Sequence, residues 1–329
     1  HLIRLLTHES FVGHPLRKDY PTARRHILKD AKEMLLDVPE EAEGLVVNIG
    51  PSHPSMHGAF RVQAVLDGER VQDAEAEIGF MLRKFEKLAE ERSYWQIIPY
   101  TERLNYCSSF MNGHGWALAV EKLLGVPAPP RAEAIRVILS EFSRIMDHII
   151  CVSTNVVDLG AITPYFIMFR AREDIYELLE ACCGARLTVS YVRIGGLAQD
   201  VPDDFEARCR KALASVQEVW KAAHELLTRN VIIMRRFKDV GVMSRDDALS
   251  WGWTGPCLRG SGVDYDVRKD HPYSGYESYD FDVPVGTAGD CFDRYLVRME
   301  EMRQSVRIIE QALANLPTGP VITDDKRVA

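Results

Sequence analysis

The sequence has 329 residues, 46% hydrophobic, 27% charged and 9% aromatic, which is enough apolar content for one large core or two modest ones and excludes a disordered or low-complexity chain. Forty Lys and Arg against 48 Asp and Glu give a formal net charge of -8, without the basic excess or stripe that a nucleic-acid surface needs. The 7 cysteines (Cys107, Cys151, Cys182, Cys183, Cys209, Cys257 and Cys291) are odd in number and form no C-x-x-C pair; they read as reduced thiols of a cytoplasmic protein and argue against an iron–sulfur cluster ligated by this chain.

Residues 1–40 are polar and basic, with a turn-rich segment from Gly13 to Pro21, and a charged linker, Glu40 to Glu43, follows. Leu45 to Ile49 reads as a short strand. Gly50-Pro51-Ser52-His53-Pro54-Ser55-Met56-His57-Gly58 is a tight loop. Phe60, Val62, Ala64 and Leu66 then alternate up to Asp67-Gly68, a strong hairpin signal, so both histidines are expected on a loop joining two strands of a small antiparallel sheet. From about Ile78 the chain becomes helical. The uncharged stretch Leu104 to Val120 holds Asn, Ser, Gly and His and is no credible membrane span. Helical spacing runs through Ile135, Ile138, Phe142, Ile145 and Ile149; through Ile175, Leu178, Leu179 and Cys182 up to Gly184; through Phe205, Cys209, Leu213, Val216, Trp220 and Leu227; and through Tyr295, Met299, Met302, Val306, Ile309 and Leu313. A loop-rich stretch, about residues 236–290, separates the last two. The expected fold is α+β: a mainly helical bundle core with a small N-terminal antiparallel sheet.

Few residues carry an obvious chemistry. His53 and His57 are four apart in a Pro-containing loop; they are either loop histidines bonded to backbone or proton donors near neutrality, and no neighbouring Cys or His completes a zinc site. Tyr106 is either a helix-start ring that buries itself or a phenol able to protonate a reduced oxyanion. Asp158 closes an apolar helical run, as a helix-end acceptor or as the orienter of a histidine, and is expected to be buried. Gly195-Gly196 lacks the context of a dinucleotide fingerprint.

The strings themselves go further. Residues 48–58, with Gly50-Pro51, His53-Pro54 and His57-Gly58, resemble the G-P-x-H-P-x-x-H-G signature of the hydrogenase-derived, quinone-site D subunit of respiratory complex I, NADH:quinone oxidoreductase. The likeness continues through residues 119–124, Asp158-Leu159-Gly160-Ala161, residues 191–196, Leu258-Arg259-Gly260-Ser261-Gly262, Asp266-Val267-Arg268-Lys269 and residues 301–305. Phe11 to Pro21 is similar to the tail of the neighbouring C-type subunit, as in a fused C/D protein. The resemblance therefore implies a C-like tail and linker over 1–40, an α+β region with the histidine loop over 41–120 and a helical core over 121–329. It also implies that the chain starts inside the C part and stops about a hundred residues short of the family's usual end.

The resemblance implies a fold like that of the nickel–iron hydrogenase large subunit. It makes His57 and Tyr106 the residues that hold the quinone headgroup, with Asp158 bonded to that histidine and His53 and Met56 on the quinone loop. Arg83 and Arg103 match arginines near a terminal [4Fe–4S] cluster that the family keeps on the adjacent subunit. Thr188 stands where the family has a histidine near that cluster, and Leu82-Arg83-Lys84 replaces the usual H-R-G. No cofactor is expected on this chain alone. Its expected partners are the iron–sulfur subunit with the terminal cluster, the membrane subunit at the quinone entrance and other peripheral-arm subunits, on the cytoplasmic side of the bacterial inner membrane. Two rival readings are a peripheral-arm scaffold with an idle site and a nickel–iron hydrogenase, the latter opposed by Tyr106-Cys107-Ser108-Ser109, which has no second Cys.

Overall fold

The computed structural model describes residues 44–53, 56 and 58–328. The expected tail over 1–40 and the start of the linker lie outside them. The chain divides into two compact units, His1–Glu91 and Arg92–Ala329.

In the first unit β1 (Leu45–Ile49), β2 (Arg61–Asp67) and β3 (Arg70–Glu77) form one antiparallel sheet in that order. Leu45 stands opposite Leu66 and Ile49 opposite Val62, so the histidine loop joins two neighbouring strands as the alternation predicts. The Asp-Gly signal makes the second connection: Asp67 pairs with Arg70 across a two-residue turn in which Gly68 has φ 59°. The short helix α1 (Phe85–Glu90) follows an apolar segment whose Ile78, Phe80, Met81 and Leu82 are all exposed.

The second unit is helical. It contains α2 (Tyr94–Glu102), a 3₁₀ turn (Tyr106–Ser108), α3 (Ser109–Leu124), α4 (Pro130–Asp158), α5 (Ile162–Cys183), the two-stranded ribbon of β4 (Val192–Arg193) and β5 (Gly196–Leu197), and α6 (Phe205–Ala223) with a π turn at His224–Thr228. Then come α7 (Val231–Phe237), α8 (Arg245–Ser250), α9 (Gly255–Gly260), α10 (Val267–Asp270) and α11 (Cys291–Ala314). The four long helices expected from spacing are α4, α5, α6 and α11, and the molecule is mixed α+β, mostly helical with a small antiparallel sheet. Pro130 opens α4 at its first turn, where a missing N–H costs nothing. Ile135, Ile138, Phe142, Ile145, Ile149, Val152 and Val156 form its buried stripe and make α4 the axis of the core against α5 and α11.

Charged residues cross this apolar core. Glu141 of α4 is fully buried and accepts from Arg268 (3.1 Å), Arg144 (3.1 Å), the Tyr276 hydroxyl (2.5 Å) and the Ser305 hydroxyl (2.6 Å). Asp266 takes a second pair of bonds from Arg268, at 3.0 and 2.7 Å, while Arg259 clamps Glu301 of α11 at 2.7 and 2.6 Å. His148 Nε2 is 2.7 Å from the other oxygen of Glu301. The loop-rich stretch is therefore a supplier of core residues: Arg259, Asp266, Arg268, Tyr276 and Phe281 are all buried.

A separate knot holds the start of α4. Buried Arg136 reaches Glu121 (2.6 and 3.0 Å), Glu133 (2.8 Å) and the carbonyls of Arg193 (2.8 Å) and Gly196 (2.9 Å), and Glu121 also accepts the Gly195 N–H at 2.6 Å. A Cβ on Gly196 would stand 2.1 Å from the Val321 carbonyl oxygen, so the Gly195-Gly196 pair serves close backbone packing.

Burial would push the Glu301 carboxyl up, but the hydrogen bond and charge of His148, with Arg259 and Arg144, hold it down at about 2. Burial opposes ionisation of Glu141 as well, and Arg144, Arg268 and two hydroxyls outweigh it, holding that carboxyl well below the usual range. Carboxyls depressed in the folded state contribute stability that is complete above the unfolded value of about 4.3 and is lost as pH falls. Denaturant midpoints should hold steady down to about pH 5 and then decline toward pH 2. Glu141→Gln leaves the buried Arg268 and the half-buried Arg144 short of charge and should cost roughly 3 kcal/mol, measured by denaturant unfolding; a cost under 1 kcal/mol would show that the network does not organise the core.

Candidate functional site

In the first unit the loop after β1 starts with Gly50 at φ 93°, where a Cβ would lie 2.2 Å from the Phe60 carbonyl oxygen, so only glycine fits. His53 is exposed and its carbonyl accepts the Met56 N–H at 2.9 Å, closing a turn; Met56 is half-buried. Pro54, Ser55 and His57 lie outside the described residues. Arg83 is exposed. Lys84, directly before α1, has φ 56° and ψ 44°, the left-handed region that glycine enters freely and lysine does not. The family resemblance puts glycine there, so the third residue of Leu82-Arg83-Lys84 departs from that pattern at a position with a backbone reason for it.

In the second unit three candidates lie on segments tied together. Arg103 caps the end of α2, exposed, with Nη1 donating to the Pro99 carbonyl at 2.6 Å. The preceding Glu102 is fully buried and accepts from the backbone N–H of Ser190 (2.7 Å) and its hydroxyl (3.1 Å), two residues beyond Thr188. Burial raises the Glu102 carboxyl above its ordinary value despite those bonds. Tyr106 opens the 3₁₀ turn, and Ser109, just after that turn, donates to the Leu187 carbonyl, adjacent to half-buried Thr188. The Asn105 amide reaches the Ser108 hydroxyl (2.8 Å) and Asp147 on α4 (3.3 Å). The segments bearing Arg103, Tyr106 and Thr188 are thus pinned to one another and to the middle of α4.

Tyr106 is 44% exposed, so its ring is not the self-burying anchor of the bland reading. Asp158 does not fit the expectation of burial either. It is the last residue of α4 and exposed, because the helix ends there at Leu159 and Gly160. At 1.5 Å per residue it stands about 16 Å along the helix from Asp147. The thiols nearby are poor nucleophiles: burial raises Cys107 and Cys151, and Asp147 adds to the effect on both. Cys182 is pushed up to about 12 by burial, as suits a structural thiol. Among the described residues no group of three or more His, Cys, Asp or Glu is placed to hold a metal ion, and no helix is long and apolar enough to cross a membrane.

No motif singles out Glu102, Asp147 or His148, and Arg259 and Glu301 enter only as members of the family strings. One signal was available: Glu141, Arg144, His148 and Cys151 recur three and four residues apart within an otherwise apolar helix.

Comparison with known proteins decides the family. Residues 158–329 match the model of the respiratory-chain NADH dehydrogenase 49 Kd subunit. The chain is 50% identical over 337 aligned residues to the NADH-quinone oxidoreductase C/D subunit of Bdellovibrio bacteriovorus, covering 99% of this chain and 60% of that protein. It is 48% identical to the NADH-quinone oxidoreductase D subunit of Methylacidiphilum infernorum, covering 87% of this chain and 69% of the relative. The chain belongs to the 49 kDa subunit family of respiratory-chain NADH dehydrogenase. The D subunit of Geotalea uraniireducens is similar at 47% identity, over 87% of this chain and 73% of the relative. This member of the 49 kDa family thus spans about three fifths of the fused relative and about seven tenths of the two unfused relatives. The likeness to the fused C/D protein extends over nearly the whole sequence, including the first forty residues.

Lys84→Gly relieves the left-handed backbone at the start of α1, which costs a non-glycine residue about 1 to 2 kcal/mol, against up to about 1 kcal/mol of added entropy in the unfolded chain. The substitution should therefore be neutral or stabilising by up to about 1 kcal/mol in thermal unfolding. A clear loss of stability would show that the lysine side chain compensates for its backbone.

Proposed function

We propose that this chain is the quinone-site subunit of a proton-pumping NADH:quinone oxidoreductase, and that it protonates quinone with electrons supplied from a partner. The single observation that carries the reading on this chain is Tyr106. Its phenol is solvent-accessible at the start of a turn fastened to α4 by Asn105 and to the 187–190 segment by Ser109, a fixed mounting for a proton donor. Family membership and the names of the relatives support the same reading.

The chemistry follows from desolvation. Two electrons added to a quinone in a dry pocket leave an oxyanion whose isolated charge is very costly. Tyr106 donates a proton to one quinone oxygen and His57 to the other; Asp158 holds the imidazole of His57 in the donating orientation, and His53 and Met56 belong to the loop that positions it. A [4Fe–4S] cluster on the iron–sulfur partner subunit supplies the electrons, with Arg83 and Arg103 adding positive charge near it. The loss of two protons beside Asp158 changes local charge by two units and starts the coupling to proton pumping.

The remaining context belongs to the same proposal. The helical unit is taken as a relative of the nickel–iron hydrogenase large subunit fold. The chain works only within the complex, with the membrane subunit at the quinone entrance and other peripheral-arm subunits, on the cytoplasmic face of the inner membrane. Residues 1–40 form the C-like tail of a fused C/D protein, 41–120 the region with the histidine loop and 121–329 the helical core.

Two measurements on the assembled complex test it. Tyr106→Phe should lower quinone turnover on the order of 100-fold or more while the last iron–sulfur cluster is still reduced by NADH; unchanged turnover removes Tyr106 from the chemistry. Thr188 offers no titrating group where the family resemblance has histidine, so the midpoint potential of the terminal cluster should be nearly flat between about pH 6 and 8, and Thr188→His should introduce a slope. A steep slope in the unaltered complex would contradict this.

A further inference from the structure

Two crosslinks join the same two stretches of the helical unit. At one end both oxygens of the buried Glu102 carboxylate turn to Ser190, Oε1 accepting its backbone N–H at 2.7 Å and Oε2 its hydroxyl at 3.1 Å. At the other end the Ser109 hydroxyl donates to the Leu187 carbonyl. The pairs 102–190 and 109–187 run in opposite directions, so neither stretch can slide along the other without breaking a bond. Next to the crosslinks, buried Phe110 and Tyr191 pack with ring centroids 6.4 Å apart. Between the crosslinks lie three of the residues that the quinone reading uses: Arg103 and Tyr106 on one stretch and Thr188 on the other.

The Glu102 end is built for position more than for charge balance. Arg103 and Arg193 act on the carboxylate through charge, but their guanidiniums donate elsewhere, Arg103 to the Pro99 carbonyl and Arg193 to the carbonyls of Ser190 and Val192. Every backbone and side-chain polar group of Ser190 is therefore taken, its N–H and hydroxyl by Glu102 and its carbonyl by Arg193. Ser190 has φ 43°, in the left-handed region that a residue other than glycine enters at a cost and keeps only when its surroundings hold it there. Without Glu102 that backbone would relax and carry Thr188, two residues earlier, with it. On the other side α3 backs the carboxylate closely, a Cβ on Gly113 standing 3.4 Å from Oε1. The bonds do not depend on ionisation. An ionised carboxylate accepts both, and a protonated one or a carboxamide can accept the N–H and donate to the hydroxyl.

We propose that Glu102 is a positioning residue of the quinone reaction: with Ser190 it fixes the spacing between Arg103 and Tyr106 on one stretch and Thr188 on the other. The phenol that donates the proton and the groups that face the cluster thereby keep one arrangement through turnover. Glu102 itself transfers no proton and acts only through the segments it joins. This rests on the assignment of Tyr106 to the quinone and of Arg103 and Thr188 to the surroundings of the cluster.

The test uses the intact complex, with turnover counted per terminal cluster so that poor assembly does not register. Glu102→Ala opens the clasp, and kcat should fall at least about tenfold, since a displacement on the order of 1 Å at a donor suffices for that. Glu102→Gln also lacks the charge but keeps both bonds, so its kcat should stay within about threefold of the parent. The midpoint potential of its terminal cluster should lie above that of Glu102→Ala, in which Arg103 is held less firmly. A parental kcat in Glu102→Ala, or equal potentials in the two variants, overturns the proposal. So does a Glu102→Gln that falls as far as Glu102→Ala, because charge and not position would then be at work. Ser190→Ala removes the hydroxyl arm alone and should lower kcat by about threefold; a parental value overturns the proposal, and this variant decides the matter if Glu102→Ala does not assemble. Tyr106→Phe separates the two readings. If it has no effect on turnover, the quinone assignment fails; if it abolishes turnover while Glu102→Ala and Ser190→Ala keep the parental kcat, only the role of Glu102 falls.

Discussion

A carboxylate with no access to water organises the helical unit. Glu141 lies on the central helix at 0% exposure, and an unpaired charge there would cost several kcal/mol, a large share of a fold's stability. It is tolerable only because Arg268 and Tyr276 arrive from the irregular stretch, Ser305 from α11 and Arg144 from the next turn of α4. The apolar stripe of α4 brings its neighbours close, yet hydrophobic contact is indifferent to a slide of one residue. The ionic contacts are not indifferent, since each donor must meet one particular oxygen. Packing therefore sets proximity, and the buried charges set register.

The same division holds near the start of α4. Arg136 and Glu121 take two backbone carbonyls and one N–H of the 193–196 ribbon, and Gly196 lets Val321 approach. Farther along α4, beyond Glu141, His148 meets Glu301, and beside it the pinned segment with Tyr106 reaches Asp147. The buried core and the exposed Tyr106 are consequently tied together: Asn105 fastens the segment of Tyr106 to Asp147, the immediate neighbour of His148 in α4.

The sequence made the regular elements legible and hid what joins them. Isoleucine and leucine at helical spacing marked α4, α5, α6 and α11, and Asp67-Gly68 marked the β2–β3 turn. Residues 236–290 read as loop because Gly, Pro and aromatic residues interrupt helical spacing; the burial of Arg259 and Arg268 depends on Glu301 and Glu141, more than 40 residues away, which no local pattern reveals. Asp158 was expected inside because the residues before it are apolar, and it is outside because the helix stops there. Tyr106, expected at a helix start, opens the 3₁₀ turn just before α3, and its exposure is not readable from the string. The motif strings pointed to the family, through resemblance and not through physics. Lys84 shows where the two kinds of reading meet, since a substitution noticed in a string proves to sit on left-handed backbone.

The length of chain between the partners of these buried bonds has a consequence for synthesis. His148 and Glu301 are separated by 153 residues, and Glu141 and Ser305 by 164. At roughly 5 to 20 residues per second, a ribosome delivers α11 about 10 to 30 s after α4. During the first part of that interval Glu141 has only Arg144 of its own helix, Arg268 arrives next, and His148 waits for Glu301 until α11 itself is made. The middle of the central helix therefore has to stay hydrated, or held by another protein, until its last partner is made, and the core closes only when the end of the chain arrives.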